Sequence, residues 1–331
     1  MRILILGAGA VGGFLASVFY GNGHKVSVLA RGAHLAAIKK HGLRIRRHDG
    51  QIVSCPVVAT DDPSAFGPQD LVVTAVKAPA LPGLLTQVEA LLQDGTPVIT
   101  AMNGVFWWYS LGQNINGIVP NSRRLDPEGV IATFVSPDQA IGMVIHSTNQ
   151  VVEPGLVQNR SPCNRFIIGA ATPAGASRIR PMLPVLSAPE TQFELEEDFR
   201  RAMWRKLLRN LSSAPASVLT GGMAYDVVND PDAKLVARAL FLEGAAVARS
   251  HGFDGLADDA PNVFSSGSGA RQKPSMSQDI DLGRPVEIDN ILRIVQDFAR
   301  QSGVPTPTLD VVVGLVILRA RLAGCYPAVP Y

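Results

Sequence analysis

After Met1-Arg2 the chain opens on an unbroken apolar run, Ile3-Leu4-Ile5-Leu6, the pattern of a strand buried on both faces of a parallel sheet. Gly7-Ala8-Gly9-Ala10-Val11-Gly12 follows at once, then an apolar helical stretch from Gly13 to about Tyr20 that Gly21-Asn22-Gly23 stops. His24 to Ala30 supplies a second strand. Asp70–Lys77 and Thr96–Ala101 repeat the strand pattern, and so do Val130–Phe134, Ile141–His146, Val151-Val152 and Phe166–Ile168. After Glu194 the period becomes helical. Trp204, Leu207, Leu208 and Leu211 form one apolar stripe. Further helices are predicted from Asp230-Pro231 to Gly252, from about Pro285 to Ser302, and from Thr308 to about Leu322. An α/β half thus precedes a helical half, and 331 residues suit two domains.

Composition narrows the class. With 47% hydrophobic residues, 18% charged and a formal net charge of +2, the chain favours compaction over disorder. Cys55, Cys163 and Cys325 lie far apart, which predicts neither a disulfide framework nor a cysteine zinc site and fits a reducing compartment. The six histidines show no metal-ligand spacing, so no metal is expected. No stretch reaches the roughly 20 apolar residues of a membrane span, and the glycines of the first 20 residues interrupt what would otherwise resemble a targeting segment. A cytoplasmic protein with no membrane and no nucleic-acid partner is the expectation. Charge is nevertheless uneven. Residues 1–48 hold eight basic side chains and no acid, a basic lobe suited to a polyanionic ligand. Within it, Arg44-Ile45-Arg46-Arg47-His48 reads as an exposed strand rather than a nucleic-acid patch.

The glycines give that ligand a shape. A G-x-G-x-x-G between a strand and a helix binds the diphosphate of a dinucleotide. Gly7 permits the tight turn, Gly9 lets the backbone approach the phosphates, and Gly12 lets helix and strand pack closely. At the end of the second strand an NAD-binding protein usually places an acid for the ribose hydroxyl; this chain has Arg31, nineteen residues after Gly12. A guanidinium grips a 2′-phosphate through two parallel hydrogen bonds, so NADPH is expected over NADH. Lys77 and Asn103 follow the next two strands, at the sheet edge where ligands bind, although Asn103-Gly104 also suits a simple turn.

G-A-G-A-V-G-G at 7–13, Arg31, A-V-K-A at 75–78, N-G-V at 103–105, W-R-K-L-L-R-N at 204–210, P-S-M at 274–276 and V-E-I-D-N at 286–290 together resemble the ketopantoate reductases (2-dehydropantoate 2-reductases) of pantothenate biosynthesis. The resemblance spans nearly the whole chain. It implies an α/β Rossmann N-terminal domain, here 1–194, and an all-α C-terminal domain, here 195–331, with the active site between them. It also implies NADPH, a small-molecule 2-oxo acid substrate, and Lys206 as general acid. Asn210 and Asn103 would contact the substrate, Ser275 would hold its carboxylate, and Glu287 would accept from its hydroxyl and orient Lys206. Lys77 would lie near the cofactor.

The residues themselves allow plainer readings. Lys206 and Asn210 share a helix face, yet Trp-Arg-Lys also suits a solvated one. Glu287 also suits the first turn of a helix after Pro285, and Ser275 a cap. The family pattern is also departed from. Ala214 stands where a second asparagine is frequent, Gln272 stands three before Ser275 where Asn is common, and Asn114–Glu128, with Arg123-Arg124, is longer and more polar than expected. These differences bear on which 2-oxo acid is reduced. A reductase of another small or branched 2-oxo acid and a non-catalytic NADPH-binding regulator remain as alternatives. Exposed apolar surface on the C-terminal helices would indicate a homodimer.

Overall fold

A computed structural model of the chain describes residues 1–115 and 117–328. Asn116, inside the Asn114–Glu128 segment, and residues 329–331, at the end of the expected helical domain, lie outside the described residues. The strands are β1 (Arg2–Leu6), β2 (Lys25–Leu29), β3 (Leu43–Arg46), β4 (Ile52–Cys55), β5 (Val58–Thr60), β6 (Leu71–Thr74), β7 (Val98–Ala101), β8 (Ala140–His146), β9 (Asn149–Glu153), β10 (Leu156–Asn159), β11 (Asn164–Ala170) and β12 (Thr191–Leu195). Eight of them form one sheet in the order β12-β11-β8-β7-β6-β1-β2-β5, parallel except between β8 and β11. Ile3, Leu4, Ile5 and Leu6 of β1 are wholly buried, as the unbroken apolar run predicts. Each such side chain contributes about 1.5–3 kcal/mol by leaving water.

A second sheet, β4-β3-β10-β9, pairs strands more than a hundred residues apart in sequence, with Leu156 of β10 opposite Arg44 of β3. The helix Ala10–Gly21 packs on β1 and β2 and also on β3, β9 and β10. Gly13 makes this approach close, since a methyl there would lie 2.9 Å from Val157 Cγ2. The expectation of an exposed strand at Arg44–His48 is corrected in part. β3 ends at Arg46, and Ile45 is only 3% exposed because this small sheet covers it.

By its contacts the chain forms two compact units, Met1–Gly112 with Asp126–Phe199, and Gln113–Leu125 with Arg200–Tyr331. The strand expected at Val130–Phe134 is a helix instead. Asp126 explains the difference, because its carboxylate accepts the backbone N–H groups of Ile131 and Ala132 and so satisfies the opening turn of a helix. In the second unit the helix Phe199–Thr220 buries Trp204, Leu207, Leu208 and Leu211 and continues through Pro215. The helix Pro231–Ser250 crosses it closely at Gly244, where a methyl would meet Leu208 and Leu211 at 2.8 Å. Asp230 caps this helix by accepting from Asp232 and Ala233. The predicted helix Pro285–Ser302 starts later than expected, as a π-helical turn at Asp289–Arg293 leading into Ile294–Ser302. Pro307–Leu322 forms the last helix. No helix among the described residues is long and apolar enough to cross a membrane.

Candidate active site

Four neighbouring parallel strands, β2, β1, β6 and β7, point their carboxyl ends at one edge of the large sheet. Arg31, the glycine turn, Lys77 and Asn103 follow those ends in that order, so the fold brings the six expected cofactor-side positions to a single edge. Gly7 turns the chain at φ +99°, a conformation that side chains resist, and its N–H donates to the Leu29 carbonyl at 3.0 Å. Gly12 has no room for a side chain. A methyl there would lie 1.9 Å from the Gly7 oxygen and 2.8 Å from the Ala75 methyl. Gly9 is different, for a methyl there would meet nothing within 4 Å.

Gly9 also caps the helix Ala10–Gly21, and neither its N–H nor that of Ala8 makes a hydrogen bond among the described residues. Free N–H donors at a helix start, open space at Gly9 and close packing at Gly12 fit a bound diphosphate. Arg31 stands exposed just before the helix Gly32–His41, and its guanidinium makes no hydrogen bond or ion pair among the described residues. Lys77, half-buried, precedes the short turn Ala78–Ala80; Asn103, also half-buried, follows β7.

The second unit carries the remaining expected residues. Lys206 and Asn210 lie one turn apart on Phe199–Thr220. The Lys206 side chain keeps a little exposed surface, yet its ammonium is removed from water. Burial lowers its pKa to about 7. The half-buried Asn210 amide makes no hydrogen bond among the described residues. Ser275 is the exposed first residue of the helix Ser275–Asp281, and its hydroxyl also has no partner among the described residues. Pro274 occupies the cap, so Ser275 is not a capping serine. That helix is fixed to Phe199–Thr220 by a hydrogen bond from Ser277 Oγ to the Ser217 carbonyl, 3.3 Å. Glu287 is half-buried and precedes the π-turn, so it does not sit in a first helical turn.

Two features went unread in the sequence. Ser265–Gly269 is tied to Asn229, which accepts from the Gly267 N–H and donates to the Ser268 carbonyl. Arg124 pairs with Asp297 and, at 3.3 Å, with Asp289, which joins Gln113–Leu125 to the helical unit. Among the described residues, no three His, Cys, Asp or Glu side chains converge as metal ligands.

Comparison with known proteins gives consistent matches. Residues 3–123 match the family described as ketopantoate reductase PanE/ApbA, and residues 198–320 match its C-terminal counterpart. A 2-dehydropantoate 2-reductase of Mesorhizobium japonicum is 37% identical over 329 residues, covering 98% of this chain and 100% of the relative. A Ralstonia solanacearum protein classed as a ketopantoate reductase superposes with a TM-score of 0.87 at 34% identity, over 98% of this chain and 99% of its own. The ternary structure of D-mandelate dehydrogenase with NADH and anilino(oxo)acetate, at 20% identity, shares the fold with a TM-score of 0.83, over 98% and 99% of the two chains.

Proposed function

Because the chain belongs to the ketopantoate reductase family of oxidoreductases, we propose that it reduces 2-dehydropantoate to pantoate with NADPH, Lys206 delivering the proton. When bound, the dinucleotide would supply the hydride for the carbonyl carbon. The turn at Gly7, Gly9 and Gly12 would hold its diphosphate, Arg31 would grip the 2′-phosphate, and Lys77 and Asn103 line the same edge. Lys206 stabilises the charge that grows on the carbonyl oxygen and gives that oxygen its proton, leaving a hydroxyl. Asn210 and Asn103 donate to the substrate and Ser275 binds its carboxylate. Glu287 accepts from the hydroxyl and orients the Lys206 amine.

The observation that carries this reading is the placement of Lys206 one helical turn from Asn210 with its ammonium removed from water, a burial that lowers its pKa to about 7. An ammonium poised near neutrality releases its proton far more readily than an ordinary lysine. Loss of NADPH absorbance on adding ketopantoate tests the reaction. Lys206→Ala is expected to lower kcat by roughly 10²- to 10⁴-fold while NADPH affinity holds. An unchanged kcat removes Lys206 from the mechanism.

One residue favours a second substrate. Ala214 is buried on the Lys206 helix, one turn past Asn210, and offers a methyl where an amide is frequent in the family. One fewer hydrogen bond suits a different or less polar 2-oxo acid. A panel of 2-oxo acids decides, with ketopantoate ranking below another compound as the supporting result. The exposed stripe Val311, Leu315, Leu318 and Leu322 is read as the face on which a second copy packs, which sedimentation of the purified chain checks.

A further inference from the structure

His34 lies in the first turn of the helix Gly32–His41, half-buried. Its Nδ1 accepts the backbone N–H of Gly155 at 3.0 Å, so the ring proton of the neutral form resides on Nε2. Nε2 in turn donates to the Ala8 carbonyl at 2.6 Å. Loss of water around the ring holds its pKa below the ordinary histidine value, against the smaller opposing pull of the Ala8 hydrogen bond. Gly155 forms the turn between β9 and β10, packed so closely on the helix that a methyl there would lie 2.9 Å from the Ala37 methyl.

The Ala8 carbonyl and the Gly9 N–H are the two ends of one planar trans peptide, and they point in opposite directions. Fixing the carbonyl toward His34 therefore aims the Gly9 N–H the other way, and hydrogen bonding at the oxygen makes that N–H a better donor. The Gly9 N–H is one of the donors left free at the helix start, on the open side of the turn. Flanking glycines would otherwise let this plane rotate and present an oxygen to an anion.

We propose that His34 is a positioning residue for the dinucleotide diphosphate: its Nε2–H locks the Ala8–Gly9 peptide so that the Gly9 N–H faces the phosphates. The inference rests on the reading of the glycine turn as the diphosphate site. It extends that site to a side chain that does not itself touch the ligand.

Three variants of the full chain test it, with NADPH affinity measured by titration calorimetry and folding by thermal melting. A glutamine amide nitrogen superposes on Nε2 and an asparagine oxygen on Nδ1. His34→Gln therefore keeps the Ala8 contact, His34→Asn keeps the Gly155 contact, and His34→Ala keeps neither. Losing a hydrogen bond of this kind is expected to weaken NADPH binding about 10-fold in His34→Asn and His34→Ala. His34→Gln should stay within about 3-fold of the parent, and kcat at saturating NADPH should be unchanged in all three. If His34→Ala does not fold, the Asn and Gln variants compared at equal melting temperature still decide. Parent-like affinity in His34→Asn, or equal weakness in His34→Gln, overturns the positioning role while leaving the cofactor site intact. A parent protein that binds neither NADPH nor NADH overturns the cofactor reading on which the inference depends.

Discussion

Gly12 and Gly7 touch across the turn: a methyl on Gly12 would sit 1.9 Å from the Gly7 carbonyl oxygen. No side-chain rotation relieves a clash with backbone. Gly12→Ala should therefore push the helix Ala10–Gly21 off β1, with a lower melting temperature and loss of NADPH binding. Gly9 sits at φ −63°, with empty space where a side chain would go. Gly9→Ala should fold with stability within about 1 kcal/mol of the parent, yet bind NADPH weakly because the methyl occupies the phosphate approach. Calorimetry and thermal melts on the pair separate packing from ligand space.

Arg31 tests cofactor choice. Its guanidinium has no protein partner among the described residues, so its removal leaves no buried charge behind. Arg31→Ala should weaken NADPH roughly 10- to 100-fold, from the loss of charge-assisted hydrogen bonds, and leave NADH and the melting temperature almost unchanged. Equal loss for both cofactors would show that Arg31 does not read the 2′-phosphate.

Lys206 sets two pH trends. As a proton donor it must be charged, so reduction should slow as pH rises through about 7. Its folded pKa lies below the unfolded value of 10.5, so between pH 7 and 10.5 the unfolded chain binds more protons and this group makes stability rise with pH. Lys206→Met should remove both trends. Rate profiles and melting temperatures between pH 6 and 10 check them.

His251 acts at the acid end. It is buried against Trp204 and Phe298, with ring centroids 6.0 and 4.6 Å away, and loss of water lowers its pKa to about 4. The unfolded ring titrates near 6.5. Its contribution is thus complete above pH 6.5 and is lost as pH falls toward 4. His251→Phe should flatten the fall in melting temperature over that interval.

Arg124 anchors a segment. Its partners Asp297 and Asp289 are partly exposed, so Arg124→Ala is expected to cost on the order of 1–2 kcal/mol, read by denaturant unfolding. An effect below about 0.3 kcal/mol would show that the ion pairs are not what holds Gln113–Leu125.

The glycine edge was legible because each position depends on local chain: strand, turn and helix follow one another without a break, and Gly7, Gly9 and Gly12 declare themselves by spacing. The same holds for Asp230, whose cap lies beside the helix it starts. Other features depend on residues brought together from afar. Val130–Phe134 has the composition of a strand, and only the reach of Asp126 makes it helical. The second sheet pairs 43–55 with 149–159, a contact no local pattern reports. His34 carries no local signal, because its two hydrogen bonds exist only where Ala8 and Gly155 meet it. Glu287 precedes a π-turn rather than opening a helix, and hydrophobic spacing does not distinguish the two.

The polypeptide passes from the first unit to the second after Gly112, returns after Leu125, and leaves for good after Phe199. No single cut therefore separates the two lobes cleanly. A fragment beginning at Arg200 would keep Asp289 and Asp297 while discarding Arg124, which pairs with both, so swaps of the helical lobe between relatives need the short excursion 113–125 grafted with it.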